Sequence, residues 1–559
     1  MNSKSGSIFP VMRNDNGSSS APAPALIRIK TDIVKTRVMV LLRIILIFII
    51  VSSVRFINRC ASCLSERSVA LTTVLVNPQL ILREEQMIAW ALRRTIVPIL
   101  VAGAISALGC SLADAADAAD TAATVAERLG HEAQMDDWGY KFLETMTSEI
   151  GPRLAGTDAE VRAAKFAEAK LKAAGLDVHL ENFPMTVWER GIETATIEKP
   201  ASQRLVLTAL GGSVATPPAG IEAEVIVFRT YSALLAAPLG SLVGKIAVVT
   251  ERMVRTQDGA GYGAANRIRR AGASEAARRG AVAYLHRSLG TDSHRLAHTG
   301  ALDYADGILR IPAAALANPD ADQLERLAAQ GPVTIHLTLT PSERENGQSL
   351  TVVGEVKGRE KPDEIVLIGA HLDSWDLGTG AIDDGAGDAI VVEVGKLIAS
   401  LPQHPRRTVR IVLFGAEEMD YSGPAYTKAH IDDAARIIVA GETDFGARPI
   451  YEAKLPAGAA ASSFGSVFGG LLPPFHVLLS REPSRQGGAD VDGLMRAGVP
   501  IVSLQQDGLD YFDIHHTADD TFDKIDPAQL AQNLAVWAMF TYLAAESDID
   551  FRRLPSPAP

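Results

Sequence analysis

The chain has 559 residues, 47% of them hydrophobic, which is enough for two or three domains with buried cores. Its 54 Lys and Arg residues against 66 Asp and Glu residues give a net charge of -12. The expected globular part contains no sustained basic run, so a nucleic-acid partner is not expected, and small molecules or peptides are the ligands that remain.

A segment near the amino terminus has the residue order of a secretory signal peptide. Residues 87–115 pass from a basic start through the apolar run Thr95 to Gly109 to the tripeptide Ala113-Asp114-Ala115, which fits a signal-peptidase site. We therefore interpret Met87 as the true start and residues 1–86 as an extension outside the native protein. A periplasmic or secreted location is expected.

Two features leave a membrane anchor open as an alternative. The run from Val38 to Val54 is nearly long enough to span a bilayer, although it contains Arg43, and it matters only if residues 1–86 are retained. Cys110 ends a sequence that resembles a lipoprotein box. It and the other two cysteines, Cys60 and Cys63, precede the predicted enzyme, so no disulfide framework is expected there.

The first half of the predicted folded part contains two kinds of segment. Residues 137–188 begin with apolar residues at helical spacing, broken by a turn from Gly151 to Gly156, and continue with alternation typical of an edge strand from Val178 to Phe183. Residues 189–345 change to short apolar runs with frequent Gly and Pro, interrupted by one Ala- and Arg-rich helix from Ala271 to Gly280. This composition indicates an inserted, β-rich domain.

The second half, residues 346–548, alternates between strands and helices. The predicted elements are the strands Ile365 to Ala370, Thr408 to Phe414, Ala435 to Ala440 and Val499 to Leu504, and the helices Gly385 to Leu401 and Pro527 to Ala545. Such alternation favours an α/β fold with a mainly parallel mixed sheet covered by helices.

Candidate metal ligands follow several of these strands. His371 directly follows the first, with Asp373 two residues later on the same face of an extended chain, where it can hold the second ring nitrogen of the histidine. Asp383 lies in a Gly-rich turn that opens a helix, and its two oxygens can each face one metal ion.

Further carboxylates and imidazoles follow the later strands. Glu417 and Glu418 are adjacent, and two neighbouring carboxylates repel each other unless one binds a cation and the other serves as a base. Asp444 follows the next strand, and His515 and His516 follow the last. Oxygen and imidazole ligands without cysteine are typical of zinc or a similar divalent ion.

Each of these residues also has an ordinary structural interpretation. Taken singly, a histidine at a strand end is more often solvated, a Glu pair more often marks a wet loop, and Asp383-Asp384-Gly385 reads as a turn or a helix cap. Their arrival at consecutive strand ends favours a shared site, because the carboxyl ends of parallel strands meet at one edge of the sheet.

From Asp137 to Ala545 the sequence resembles the di-zinc exopeptidase family, which includes bacterial leucyl aminopeptidases, and most closely its plasma carboxypeptidase branch. The run Gly369 to Gly387 carries the closest match, and motifs such as Gly151-Pro152-Arg153-Leu154 and His298-Thr299-Gly300 extend it. The resemblance implies the zinc exopeptidase fold, an inserted domain similar to protease-associated domains, a cis peptide bond between Asp383 and Asp384, and a homodimer.

The resemblance also implies the roles of the site residues and a cofactor of two zinc ions. His371 and Asp444 hold one zinc, Glu418 and His516 hold the other, Asp383 bridges both, and Glu417 is the general base. His516 is preferred to His515 because family members follow the ligand with Thr or Ser and place an Asp-Thr pair four and five residues later, here Asp520-Thr521.

The predicted activity is hydrolysis of short peptides, dipeptides above all, by an exopeptidase. The sequence does not decide which peptide terminus is recognised, so an aminopeptidase of the same family is the main alternative. A non-catalytic receptor-like protein and a one-zinc glutaminyl cyclase share the fold and remain further alternatives, although no expected ligand or base is missing from this chain.

Overall fold

The computed structural model of the protein describes residues 122–554. The extension 1–86, the signal peptide predicted at 87–115, the apolar run Val38 to Val54 and the three cysteines lie outside the described residues. Within 122–554, no helix is both long and apolar enough to cross a membrane.

The described part alternates between helices and strands along its whole length. The helices, in chain order, are α1 122–135, α2 Trp138–Thr145, α3 Asp158–Ala173, α4 Tyr231–Ala236, α5 Ala260–Arg278, α6 Asn318–Ala328, α7 Ala386–Ala399, α8 Ser422–Ala429, α9 Ser463–Leu471, α10 Asp492–Arg496, α11 Tyr511–Ile514 and α12 Pro527–Glu546. The strands are β1 Asp177–Glu189, β2 Glu193–Lys199, β3 Gln203–Leu205, β4 Leu207–Ala209, β5 Ile221–Phe228, β6 Ile246–Val249, β7 Ala283–Arg287, β8 Ala313–Leu316, β9 Thr334–Leu339, β10 Ser342–Val356, β11 Lys361–His371, β12 Arg407–Phe414, β13 Ile437–Glu442, β14 Ile450–Lys454, β15 Leu478–Leu479 and β16 Ser503–Gln506.

A five-stranded mixed sheet in the order β1-β10-β12-β11-β13 carries the candidate site. β11 runs parallel to both β12 and β13, whereas β10 pairs antiparallel with β1 and β12. β12 is buried along its whole length, as expected for a strand covered by helices on both faces. The predicted α/β fold with a helix-covered mixed sheet is confirmed, and its parallel half is the half that bears the candidate ligands.

Helices α7 and α12 form one cover of this sheet. Twelve residues of α7 are buried, and α12 is buried on almost all sides from Asn533 to Ala545, because it packs against both α7 and the strands β11 and β12. The Asp526 side chain caps the start of α12 by accepting from the backbone N–H groups of Ala528 and Gln529. Helices α7 and α12 thus hold the parallel strands in place, and the carboxyl ends of these strands lie at the edge of the packed layer.

The chain between β1 and β10, residues 190–341, forms a second sheet and is called the inserted region below. Its eight strands follow the order β3-β2-β9-β5-β6-β7-β8-β4, and β5 to β8 pair in parallel. Because Glu189 pairs with Ser342, the chain leaves and re-enters the first sheet at adjacent positions. Independent folding of the predicted domain 189–345 remains a prediction.

Two predicted elements differ from those observed. The helix predicted from Ala271 begins eleven residues earlier, at Ala260, because burial of Ala265, Ile268 and Ala273 on one face outweighs the low helix propensity of its glycines. The strand predicted from Val499 is mostly irregular and makes one isolated parallel bridge, between Ala440 and Ile501. Regular pairing begins at Ser503, in a small sheet of order β15-β14-β16.

Candidate metal centre

The predicted ligands converge at the carboxyl edge of the parallel half of the first sheet. His371 is the last residue of β11, Glu417 and Glu418 follow β12, and Asp444 follows β13. Asp383 lies in the turn Ala381–Gly385 that precedes α7, and His516 follows α11. Residues far apart in the sequence therefore share one site because their strands end at one edge.

Asp383 occupies the middle of this cluster. Its Oδ1 lies 3.2 Å from Nε2 of His371, and its Oδ2 lies 3.1 Å from Nε2 of His516. Nε2 of His371 is 3.5 Å from Asp444 Oδ1, and Nε2 of His516 is 3.0 Å from Glu418 Oε2. Each oxygen of the Asp383 carboxylate thus faces a separate histidine and carboxylate pair, an arrangement suited to bridging two cations.

His515 and His516 occupy different positions relative to the carboxylates. Their rings stack with centroids 3.5 Å apart, but only His516 contacts both Asp383 and Glu418, whereas His515 Nε2 is 3.6 Å from Asp383 Oδ2. The Nδ1 atom of His516 lies 3.2 Å from the backbone oxygen of Thr299, to which it can donate. This geometry favours His516, with Nε2 left available as the ligand atom.

The fully buried Asp373 contacts two parts of the site. Its backbone oxygen is 3.0 Å from Nδ1 of His371, and its carboxylate Oδ1, predicted to hold this nitrogen, is 3.5 Å away. The same Oδ1 accepts a hydrogen bond from the backbone N–H of Glu417 at 3.1 Å. Asp373 therefore links the loop after β11 to the loop that carries the adjacent glutamates.

Burial and mutual repulsion dominate the electrostatics of the carboxylates. Burial, with the Asp444 and Glu418 carboxylates, raises the pKa of Glu417 well above its ordinary value, and burial raises the pKa of Glu418 to about 7. Burial opposes ionisation of Asp383 too, but the imidazoles of His515, His371 and His516 hold its pKa well below the ordinary value. So many acids in one buried site call for a compensating cation.

The donor atoms present fit divalent metal ions. His371, Asp383 and Asp444 bring one ligand atom each within 4.8 Å of one another, and so do Asp383, His515 and His516. Buried oxygens of Glu418 and Asp444 have no hydrogen-bond partner among residues 122–554. Imidazole nitrogens and carboxylate oxygens are the ligands that zinc takes in proteins without cysteine.

Two buried residues hold the backbone that carries the ligands. Asp520 Oδ1 accepts from the backbone N–H groups of Ala381 at 2.8 Å and Ile382 at 2.7 Å, directly before Asp383. Arg153, which is fully buried, donates to the backbone oxygens of Leu372, Thr379 and Gly380 and so fixes the loop after His371. The Asp383-Asp384 peptide bond is cis, as the family resemblance implies.

The inserted region contacts three of the segments that carry candidate ligands. Arg190 forms a two-pronged ion pair with Asp376, in the loop after His371, and Arg270 pairs with Asp420, two residues after Glu418. The ring of His298 lies 2.7 Å from the backbone oxygen of His515. The metal centre is therefore enclosed by residues from both sheets.

Sequence reasoning missed these supporting residues. Arg153 and His298 appeared only as parts of motifs that resemble the family, and Asp520 only as a marker for choosing His516. Arg190 belongs to a further run that resembles the family, Trp188 to Gly191, but its pairing with Asp376 was not predicted. Arg270 carried no sequence signal, since its partner lies more than a hundred residues away. Unusual burial of a charged side chain is the signal that identifies Arg153, and it is visible only in the structure.

A cavity of about 450 Å³ adjoins the candidate centre. Its lining includes Ile382, Phe445 and Ile514, and the first two are direct chain neighbours of Asp383 and Asp444. Charged groups, among them Arg448 and Lys524, line it as well. A larger cavity of about 830 Å³, lined by Leu455, Arg481 and Leu554 among others, contains none of the predicted site residues.

The chain is similar to known peptidases. Residues 351–541 match the sequence family described as Peptidase family M28. Carboxypeptidase Q of Mus musculus is 35% identical over 412 residues, which cover 73% of this chain and 86% of that protein.

Two solved structures are also similar. The Peptidase M28 precursor of Shewanella amazonensis is 47% identical with a TM-score of 0.76, covering 78% of this chain and all of that one. A zinc aminopeptidase of Bacillus subtilis shares the fold, with a TM-score of 0.54, 20% identity and coverage of 73% of this chain and 95% of that one.

Proposed function

The chain belongs to peptidase family M28 and is a zinc metallopeptidase, and from this premise we propose that it is a di-zinc exopeptidase that hydrolyses short peptides, dipeptides above all. The family membership confirms the predicted resemblance to carboxypeptidase Q and its di-zinc exopeptidase relatives. One observation carries the two-metal proposal: the two oxygens of Asp383 face separate pairs of candidate ligands, His371 with Asp444 and His516 with Glu418.

In the proposed mechanism, zinc held by the two ligand pairs and by Asp383 would supply a Lewis acid for the scissile carbonyl and for the attacking water. Glu417 takes the proton from this water and passes it to the leaving amine, because its side chain is close to the ligands but is not needed as one. The hydrogen bond from the Glu417 backbone N–H to Asp373 anchors the main chain of the base to the loop that follows His371. Asp373 is therefore proposed as a positioning residue for both groups.

The roles of the adjacent glutamates can be separated experimentally. Glu417→Gln is expected to retain both zinc ions and to lose activity by at least about a hundredfold, since general bases contribute about 10² to 10⁴ in rate. Glu418→Gln is expected to lose zinc. The exposed Glu482→Gln is the matched control. Zinc content by plasma mass spectrometry and hydrolysis of Ala-Ala are measured together, and full activity of zinc-bound Glu417→Gln would show that the base is assigned wrongly.

The recognised terminus is tested with blocked substrates. Ala-Ala, its amino-acetylated form and its carboxyl amide are compared at equal zinc loading. A carboxypeptidase or dipeptidase requires the free carboxylate, whereas an aminopeptidase of the same family requires the free amine. Absence of hydrolysis of every peptide in a fully loaded enzyme contradicts the proposed function and leaves the receptor-like alternative.

The location and assembly of the protein are part of the same proposal. We infer export to the periplasm or medium from the signal-like order of residues 87–115, and a homodimer from the family resemblance. Mass spectrometry of the amino terminus of the native protein tests the first inference, because recovery of peptides from residues 1–86 contradicts it. Light scattering on the purified enzyme tests the second.

A further inference from the structure

One face of helix α5, in the inserted region, is directed at the candidate centre. Tyr262, Asn266 and Arg269 are spaced four and three residues apart and therefore lie along one face of the helix. The Tyr262 ring stacks on Phe512 with centroids 4.8 Å apart and meets the edge of His515 at 5.1 Å. This face thus covers the segment that presents His516.

Arg269 is a buried cation beside a candidate ligand. Its side chain belongs to a residue only 3% exposed, and its Nη1 lies 3.3 Å from Nδ1 of His516. Within residues 122–554 it forms no ion pair, and its buried Nε has no hydrogen-bond partner. A buried charge without a partner is costly, so this arrangement is expected to persist only if an anion completes it.

Other buried arginines of the described part are satisfied. Arg190 pairs with Asp376, Arg407 with Glu364 and Arg410 with Glu355, and Arg153 donates to several backbone oxygens. Arg269 faces the Tyr262 ring, whose centroid is 5.4 Å from its Cζ, and its polar contacts are His516 Nδ1 and, at 3.5 Å, the backbone oxygen of Thr299, none of which is an anion. Its guanidinium is therefore distinguished by its open hydrogen-bonding capacity, not by its burial.

Two residues near Arg269 support the interpretation that this face of helix α5 binds a ligand. The Oδ1 atom of Asn266, one turn away on the same helix, is also buried and lacks a hydrogen-bond partner in the described part. Gly300 has φ +131°, and a Cβ there would lie 2.0 Å from Nη1 of Arg269. Only glycine permits this close approach, so the backbone at Gly300 fits closely against the guanidinium.

We propose that Arg269 binds the free α-carboxylate of the peptide substrate. The proposal rests on the proposed function and extends it by assigning which terminus of the peptide substrate the enzyme recognises. A guanidinium matches a carboxylate with paired, charge-assisted hydrogen bonds. Since one peptide residue spans about 3.5 Å, a carboxylate at Arg269 lies about one residue beyond a carbonyl bound next to His516. Cleavage therefore releases a single carboxyl-terminal residue, as in a carboxypeptidase or dipeptidase.

The kinetic test compares Ala-Ala with Ala-Ala amide in the zinc-loaded enzyme. The wild type is expected to prefer the free acid by about tenfold or more in kcat/KM, the equivalent of about 1.4 kcal/mol. Arg269→Gln is expected to remove this preference through a higher KM for Ala-Ala, with the amide unaffected. Arg267→Gln, the same change at an exposed position of the same helix, is the matched control and keeps the preference.

A binding measurement supplies a readout other than turnover. Calorimetry on zinc-loaded Glu417→Gln is expected to give about tenfold weaker binding of Ala-Ala when Arg269→Gln is added, at unchanged zinc content. Arg269→Lys, which keeps the charge but loses the two-pronged geometry, is expected to restore part of the affinity. If Arg269→Gln loses zinc, or weakens the binding of Ala-Ala and of Ala-Ala amide equally, the proposal is overturned in favour of a structural role.

A comparison that needs no substitution at Arg269 keeps the proposal testable if Arg269 variants do not fold. Glu417→Gln alone is titrated with Ala-Ala and with Ala-Ala amide. Tighter binding of the acid is the expected result, and equal binding overturns the role of Arg269 while hydrolysis of both peptides by the wild type still supports the proposed function. If neither peptide is hydrolysed by the loaded wild type, it is the proposed function that fails.

Discussion

At the scale of single residues, Asp520 illustrates how a residue that is not a proposed ligand shapes the metal centre. One of its oxygens accepts the two backbone N–H groups that precede Asp383, and burial raises its pKa to about 7. The turn Ala381–Gly385 departs from helical geometry at Asp383 and Asp384, so these N–H groups depend on a side chain for their partner.

Replacing Asp520 tests this dependence. Asp520→Ala leaves two buried N–H groups unpaired and is expected to destabilise the protein by about 2 to 4 kcal/mol. Asp520→Asn retains an acceptor oxygen and is expected to cost much less. Urea denaturation measures both, with the exposed, nearby Asp523→Ala as control. Equal losses for Asn and Ala would show that the bonds to Ala381 and Ile382 are not what stabilises the turn.

The proposed ligands were accessible from the sequence, whereas their supports were not. His371 ends an apolar strand, and Glu418 and Asp444 come within four residues after one, so local pattern and the geometry of parallel sheets place them together. Arg153 and Arg269 act on loops more than two hundred residues away. Such contacts depend on how two sheets dock, and no local periodicity encodes that.

At the scale of elements, ion pairs connect the inserted region to the loops of the first sheet. The Arg190 side chain is 9% exposed and that of Asp376 is 24% exposed, whereas Arg270 and Asp420 are 24% and 50% exposed. Solvent screens the second pair more strongly, so the two links differ in strength although both are close.

Double-mutant cycles are expected to reveal this difference. The variants Arg190→Gln and Asp376→Asn should give a coupling energy of about 1 to 3 kcal/mol, because the pair is largely buried and two-pronged. The cycle through Arg270→Gln and Asp420→Asn serves as the comparison and should give less than about 1 kcal/mol. Thermal or urea unfolding measures both, and a larger coupling at Asp420 contradicts the ranking by exposure.

A buried acid joins helices α2 and α7. Glu393 Oε2 accepts the backbone N–H of Gly139 at 2.6 Å, its Oε1 lacks a partner among the described residues, and burial raises its pKa to about 8. The carboxyl group is therefore protonated in the folded protein at neutral pH, whereas in the unfolded chain it ionises near the ordinary value of 4.5.

The sign of the resulting pH dependence follows from proton binding. Between pH 4.5 and about 8 the folded state holds this proton and the unfolded state does not, so the contribution of Glu393 to stability falls as pH rises through this window. Glu393→Gln removes the titration. Its melting temperature relative to the wild type is expected to rise from pH 5 to pH 8 and to level off above, as scanning fluorimetry can measure. A difference independent of pH contradicts this account.

Element boundaries were predicted well where a strand or helix is uniformly apolar and less well elsewhere. The predicted strand Thr408 to Phe414 and helix Pro527 to Ala545 differ from β12 and α12 by a single residue. α5 was predicted too short because Gly261 and Gly263 weaken its local pattern, and tertiary packing extends it.

At the scale of the whole molecule, metal binding and folding stability are coupled. Buried carboxylates, Asp383 and Asp444 among them, lie close together in the candidate centre and repel one another. A bound cation relieves this repulsion, and the unfolded chain cannot hold the cation in the same geometry. The fold is therefore expected to be markedly more stable with zinc than without it.

Removal of the metal tests this coupling. Chelation is expected to lower the melting temperature and zinc to restore it, with about 2.7 kcal/mol of stabilisation at free zinc a hundred times its Kd. The shift should shrink in Glu418→Gln, whereas Glu482→Gln should behave as the wild type. An unchanged melting temperature after verified loss of zinc shows that the carboxylates tolerate one another without a cation.

The pairing of Glu189 with Ser342 has a consequence for the order of events during synthesis. β1 leaves the ribosome long before its partner β10, and the whole inserted region emerges between them. Because chains fold from the amino terminus as they are made, the second sheet can form while β1 still lacks its neighbour. Arg269 and Thr299, which contact His516, are translated more than two hundred residues before it, so if the inserted region folds on its own, the surface that receives His516 forms before that ligand is made.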